Sequence, residues 1–215
     1  MTATVAFETP TPFTRDYAPL AVVWTRDDCA ALEKAGVLNY RYELIEGVIL
    51  RKMGQYRQHN LPVTRAMFWL GSHFDRDCLQ TQSSIFVAWG DNKHNMSEPD
   101  LLLLSRPLQD LGTDQPRPED VRFVLGVSHT TLSYDCGSKA GLYARAGITE
   151  YWVLSVEERR LYVHTNPQNG AYTRAAFTEN ETVALGFAPD VAIRACDLLM
   201  PLDKSVSPIL LEDAA

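Results

Sequence analysis

The chain has 215 residues, 46% hydrophobic and 22% charged, with a net charge of −7. That length suits one domain with a sizeable core. The acid excess excludes a nonspecific basic nucleic-acid coat, and no apolar run approaches the ~20 residues that span a bilayer. An acidic surface still allows a nuclease whose cleft alone is basic, or whose metal ions supply the positive field.

Residues 1–18, beginning MTATVAFETPTPFTRDY, read as a Thr/Pro-rich flexible arm. They have neither the basic start nor the apolar core of a secretion signal. The main domain is expected over 19–204, with residues 205–215 as a solvated tail. Cys29, Cys78, Cys136 and Cys196 form no CxxC pair; free thiols in a reducing cytoplasm are the expectation.

In TRDDCAALEKAG, Thr25 precedes Asp28 by three residues and Gly36 follows the apolar run, so a capped helix is predicted at 26–35. YRYELIEGVILRKM alternates around Glu46-Gly47, a β-hairpin signal. Val63, Ala66, Met67, Leu70 and Phe74 form one apolar stripe of a helix with Pro62 in its first turn. A strand follows in TQSSIFVAWG, a loop in DNKHNMSE, and a strand buried on both faces in PDLLLLS. Residues 106–120 are an exposed proline-rich loop. A strand at 121–127 and a helix at 134–146, closed by Gly147, come next. EYWVLSV, RRLYVHT and GAYTRAAF are three strands, and DVAIRACDLL ends the domain. The order predicts an α/β (α+β) fold with a central mixed sheet flanked by helices.

Chemistry concentrates in a few side chains. Glu98 and Asp100 stand two apart at the start of a strand, on one side of it. Two such carboxylates repel unless a cation or proton neutralises them; a solvated strand start is the plainer reading. Asp135 and Lys139 are four apart and share a helix face. They form either an exposed ion pair of a few tenths of a kcal/mol or a lysine aimed at a phosphate above the strand ends.

The segments YRYELIEGVILRKMGQYRQHN, SEPDLLLLS and GVSHTTLSYDCGSKAGLYARAGITEYWVLS together resemble the Uma-two restriction-endonuclease family of the PD-(D/E)XK nuclease superfamily. The resemblance spans about residues 25–200. Its most specific piece is D-x3-K-x3-Y-A-x2-G-I-x-E-Y-W, from Asp135 to Trp152. It implies a restriction-endonuclease-like fold, a Mg²⁺ (or Mn²⁺) cofactor and DNA as substrate, with a homodimer by analogy. It also implies Asp100 as the metal-binding aspartate, Glu43 as the hairpin glutamate in preference to Glu46, and Lys139 as the active-site lysine; Glu98, beside Asp100, is a further candidate metal acid from its spacing alone. That lysine has moved to the helix from the strand place now held by Ser128. His59 matches a histidine at the start of the first long helix.

The chain departs from the family where a strand glutamate is expected: that place is Gly126, and an acid often found three residues later is His129. The spacing on to Asp135, Lys139 and Tyr143 has no gap, so the register holds. Mg²⁺ is usually held by one or two carboxylates plus water and phosphate, so Asp100 alone predicts a weak site. Glu98 or Glu43 could compensate, and His129 suits Mn²⁺ or Zn²⁺ better than Mg²⁺. Two functional readings result: an endonuclease with impaired cleavage, and a catalytically inactive binding or regulatory module on the same fold. A metal-free hydrolase built on Ser128 and His129 carries little weight, because adjacent residues at a strand end point apart.

Overall fold

A computed structural model describes residues 22–52, 57–87, 93–112 and 115–201. The expected arm (1–18), the tail (205–215) and the outer ends of the 19–204 domain therefore lie outside the described residues.

The helix predicted at 26–35 is α1, Arg26–Lys34. Thr25 and Asp28 bond each other's backbone in a reciprocal capping box, and Gly36 leaves the helix at φ +73°. The hairpin is β1 (Tyr42–Ile45) and β2 (Val48–Arg51), paired antiparallel. Both turn residues take positive φ, Glu46 at 50° and Gly47 at 76°, the twist that suits a two-residue hairpin. α2 is Arg57–Gly71. It begins well before the apolar stripe, so Pro62 lies inside it rather than in its first turn; Phe74 falls beyond its end yet still packs on the core.

Six strands make the central sheet in the order β3-β4-β5-β6-β7-β8: β3 (Leu79–Thr81), β4 (Leu101–Leu104), β5 (Val121–Ser128), β6 (Glu150–Ser155), β7 (Arg160–Gln168) and β8 (Ala171–Thr178). Only β5 and β6 run parallel; the remaining neighbours are antiparallel. The strand expected in TQSSIFVAWG is largely absent: β3 stops at Thr81, Gln82 turns away at φ 52°, and beyond it Ile85 makes an isolated bridge to Ser97. Residues 88–90 of that stretch lie outside the described residues.

Between β5 and β6 the chain crosses over through a helical segment with three parts. They are α3 (Leu132–Tyr134), a π-helical turn over Asp135–Lys139, and α4 (Ala140–Arg145), closed by Gly147 at φ +80°. After β8 come a second hairpin, β9 (Thr182–Leu185) with β10 (Ala188–Arg194), and the short α5 (Ala195–Leu198). The sequence signal had merged β10 and α5 and passed over β9.

β4 and β6 are buried along their whole length, as strands covered on both faces must be. Successive side chains point to opposite faces, so Trp152 packs with Trp69 of α2 and Phe123, while Tyr151 faces Tyr143 of α4. The sheet is thus clamped between α2 and the α3–α4 crossover. All four cysteines are free. No helix among the described residues is long and apolar enough to cross a membrane.

Candidate active site

β1, β2, the first turn of α2, the start of β4, the end of β5 and the π turn surround one cleft of about 790 Å³. Glu43, His59, Asp100, Asp135 and Lys139 all line it, together with Lys52 at the end of the hairpin. With His129 from the loop after β5, six of the acids, bases and histidines singled out in the sequence are therefore brought together from five separate segments. A π turn is a rare widening of a helix that recurs at functional sites. Here both of its charged residues, Asp135 and Lys139, are buried, so they are not an exposed surface pair.

Glu43 and Lys139 form the centre. Lys139 Nζ donates to Glu43 Oε1 at 2.8 Å. The same oxygen accepts from Ser97 Oγ at 3.0 Å and from the backbone N–H of Glu98 at 2.7 Å. With its proton committed to Glu43, the Ser97 hydroxyl accepts from Tyr143 OH at 2.8 Å. Burial works to raise the Glu43 carboxyl, but Lys139 and Lys52 outweigh it and hold it below the ordinary carboxylate range. Burial likewise opposes charge on Lys139, and Glu43 reverses that, leaving the amine raised well above its usual value. Both groups are charged, and each neutralises the other.

Asp100 is anchored at both oxygens. Oδ2 accepts the Val127 backbone N–H at 2.7 Å, and Oδ1 lies 3.2 Å from His59 Nε2. Burial pushes this carboxyl up, but His59 and the Val127 amide prevail and keep it below its ordinary value. Asp135 goes the other way. It accepts from Thr131 Oγ1 at 2.6 Å, yet burial prevails over Lys139 and that hydrogen bond and raises its carboxyl.

One other predicted residue, Glu98, sits elsewhere. Glu98 does not line the cleft; its carboxylate pairs with Arg41 and lies 3.4 Å from Lys52 Nζ. His129 does line the cleft, at its half-exposed edge, 3.9 Å from Glu157. Glu46, at the hairpin tip, pairs with Arg145 at the end of α4. Sequence reasoning missed Lys52, Ser97 and Tyr151. Lys52 could have been found as the basic residue closing the hairpin; a serine and a tyrosine acting through buried hydrogen bonds leave no such mark.

Gly126 lies next to Val127, whose amide holds Asp100, and it carries no side chain into the cleft. The remaining donors do not fit a divalent ion. Asp100 is held by His59 and an amide, Glu43 by Lys139, and Glu98 by two cations. Among the described residues no group of three or more His, Cys, Asp or Glu side chains is arranged to hold a metal.

No curated protein matches the chain. A solved structure described as a "putative nuclease belonging to DUF820 from Anabaena variabilis" shares the fold, with a TM-score of 0.57 and 14% identity over 78% of this chain and 96% of that one. Residues 32–195 match the Uma2 family, described as "Putative restriction endonuclease". That match spans the hairpin, the cleft and the whole central sheet, and the chain belongs to this restriction-endonuclease family.

Proposed function

We propose that the protein is a DNA endonuclease of the PD-(D/E)XK type, Mg²⁺-dependent by descent, in which phosphodiester cleavage is impaired by Gly126. The reading rests on membership of the family and on the convergence of Asp100, Glu43 and Lys139 in one cleft. The observation that carries the impairment is the state of the acids: every carboxylate near Asp100 already has a protein cation or hydrogen-bond donor. In cleavage by this superfamily, divalent ions activate water and stabilise the leaving oxygen. What these residues supply themselves is narrower. Lys139 is a fixed positive charge beside the cleft, of the kind that stabilises charge developing on a phosphate. Glu43 keeps it in place. Asp100 is a carboxylate held in one orientation by an amide and an imidazole.

The second reading is a non-catalytic binding or regulatory module in the cytoplasm, alone or paired with a second copy. It is favoured by the mutual neutralisation of Glu43 and Lys139, which leaves a stable cleft without need of an ion. A nicking assay on supercoiled DNA with Mg²⁺ or Mn²⁺, run beside Asp100→Ala, tests the proposal. Both proteins are expected to give nicking near background. Robust Mg²⁺-dependent nicking that Asp100→Ala abolishes would show an intact enzyme and overturn the impairment.

A further inference from the structure

Gly126 has a cause that lies one strand away. Among the described residues, the glycines that need a left-handed backbone are Gly36, Gly47, Gly112, Gly147 and Gly170. Gly126 is not one of them, so its backbone conformation suits any residue. The constraint is space. A Cβ built on Gly126 would sit 3.2 Å from the hydroxyl of Tyr151 and 3.6 Å from its ring carbon Cε2. The pairing of Val124 with Tyr151 in the β5–β6 ladder puts both on one face, and Gly126, two residues on from Val124, faces the same way.

Tyr151 cannot readily give way. It is fully buried, in a strand with neighbours on both sides. Its ring meets Tyr143 edge-on at 4.9 Å and stacks on His164 at 5.4 Å. Its hydroxyl is buried with no hydrogen-bond partner, a condition that ordinarily costs a protein stability. Burial, with Asp135 and Asp100 among the nearby charges, raises this phenol well above its usual value. A neutral, unpartnered hydroxyl thus stands against the position that lacks its acid.

We infer that Tyr151 holds the cleft in its disarmed form: its hydroxyl fills the room that a side chain at position 126 would enter, so an acid there restores a metal seat only when that hydroxyl is removed. The metal half of this inference rests on the nuclease reading above; the occupancy half does not. Position 151 acts through position 126, as a positioning residue.

The test is a pair of double-mutant cycles on the full chain, read by thermal unfolding and by calorimetric titration of Mn²⁺. Gly126→Ala adds only the Cβ. It is expected to lower the melting temperature by roughly 3–6 °C with Tyr151 present, and to cost little or nothing beside Tyr151→Phe. Tyr151→Phe alone should leave the melting temperature unchanged or raise it. Gly126→Glu with Tyr151→Phe should bind Mn²⁺ at least 10-fold more tightly than Gly126→Glu alone. Additive melting shifts, or equal Mn²⁺ affinity with and without the hydroxyl, would overturn the inference. Coupled melting shifts with no Mn²⁺ binding in any variant would support the occupancy of the position by Tyr151 and sink the nuclease reading of the cleft.

Discussion

The two faces of the central sheet solve different problems with the same strands. On the α2 face, Trp152 lies 6.0 Å from Trp69 in a stacked pair and 5.2 Å from Phe123 edge-on. This is close packing of large apolar surfaces, with the Trp152 indole N–H satisfied by Glu150 at 2.8 Å. The α3–α4 face is just as dry but carries charge: Lys139, Glu43 and Tyr143 in one network, with Tyr151 and His164 beneath. Most of the orphaned buried polar atoms lie on that side or in the cleft it borders, namely His59 Nδ1, Tyr134 OH, Tyr151 OH and His164 Nε2; Trp69 Nε1 is the exception. The apolar face stabilises by area and shape, whereas the charged face depends on keeping both members of each pair. Unsatisfied groups gather where a fold carries a site.

The largest expected effects separate the two faces by their remedies. Trp152→Ala should cost about 3–5 kcal/mol in denaturant unfolding, as truncation of a large buried aromatic does. Lys139→Met should cost a comparable amount, about 3–5 kcal/mol, because it strands the Glu43 carboxylate. Adding Glu43→Leu should recover much of the second loss and none of the first. Recovery in neither case would mean that the charged face is held by packing after all.

A smaller effect separates them by pH. Burial drives the His164 imidazole down to about 4 from its ordinary 6.5. The folded state binds its proton less readily than the unfolded state does, so stability is fully present above pH 6.5 and is lost as pH falls toward 4. The 2.5-unit difference corresponds to about 3 kcal/mol at the acid end. Asp135 and Glu150, both raised, titrate with the opposite sign over their own range. The clean measurement is therefore the difference between wild type and His164→Phe in urea midpoints from pH 7 to pH 4. The wild type should lose more, and parallel curves would remove His164 from the account.

Smaller still is Tyr143→Phe, which takes one donor from Ser97 and should cost about 1 kcal/mol. The exposed Glu46–Arg145 pair marks the lower limit. Arg145→Ala should change stability by less than about 0.5 kcal/mol.

Local signals were legible in the sequence and long-range ones were not. Thr25 with Asp28, and Glu46 with Gly47, specify a cap and a turn by chemistry confined to a few residues, and both formed as read. The buried strands at Leu101–Leu104 and Val121–Ser128 followed from continuous apolar runs. Of the strand read into residues 81–90, the described stretch 82–87 forms no regular strand, because Ile85 and Val87 pack into the core without a regular ladder. At the cleft, Asp100 and Lys139 were legible through the family motif. That Glu98 turns to Arg41 and Lys52 was not, because those partners lie 57 and 46 residues away. Nor was the link between Gly126 and Tyr151, which depends on the parallel register of β5 and β6.

The central claim is that Asp100 stands in a nuclease cleft whose acids are already engaged within the protein. Calorimetric titration of Mn²⁺ into the wild-type protein and into Asp100→Ala tests it most directly. The account predicts superimposable titrations, with no Asp100-dependent binding at millimolar Mn²⁺. Micromolar binding by the wild type that disappears in Asp100→Ala would contradict it.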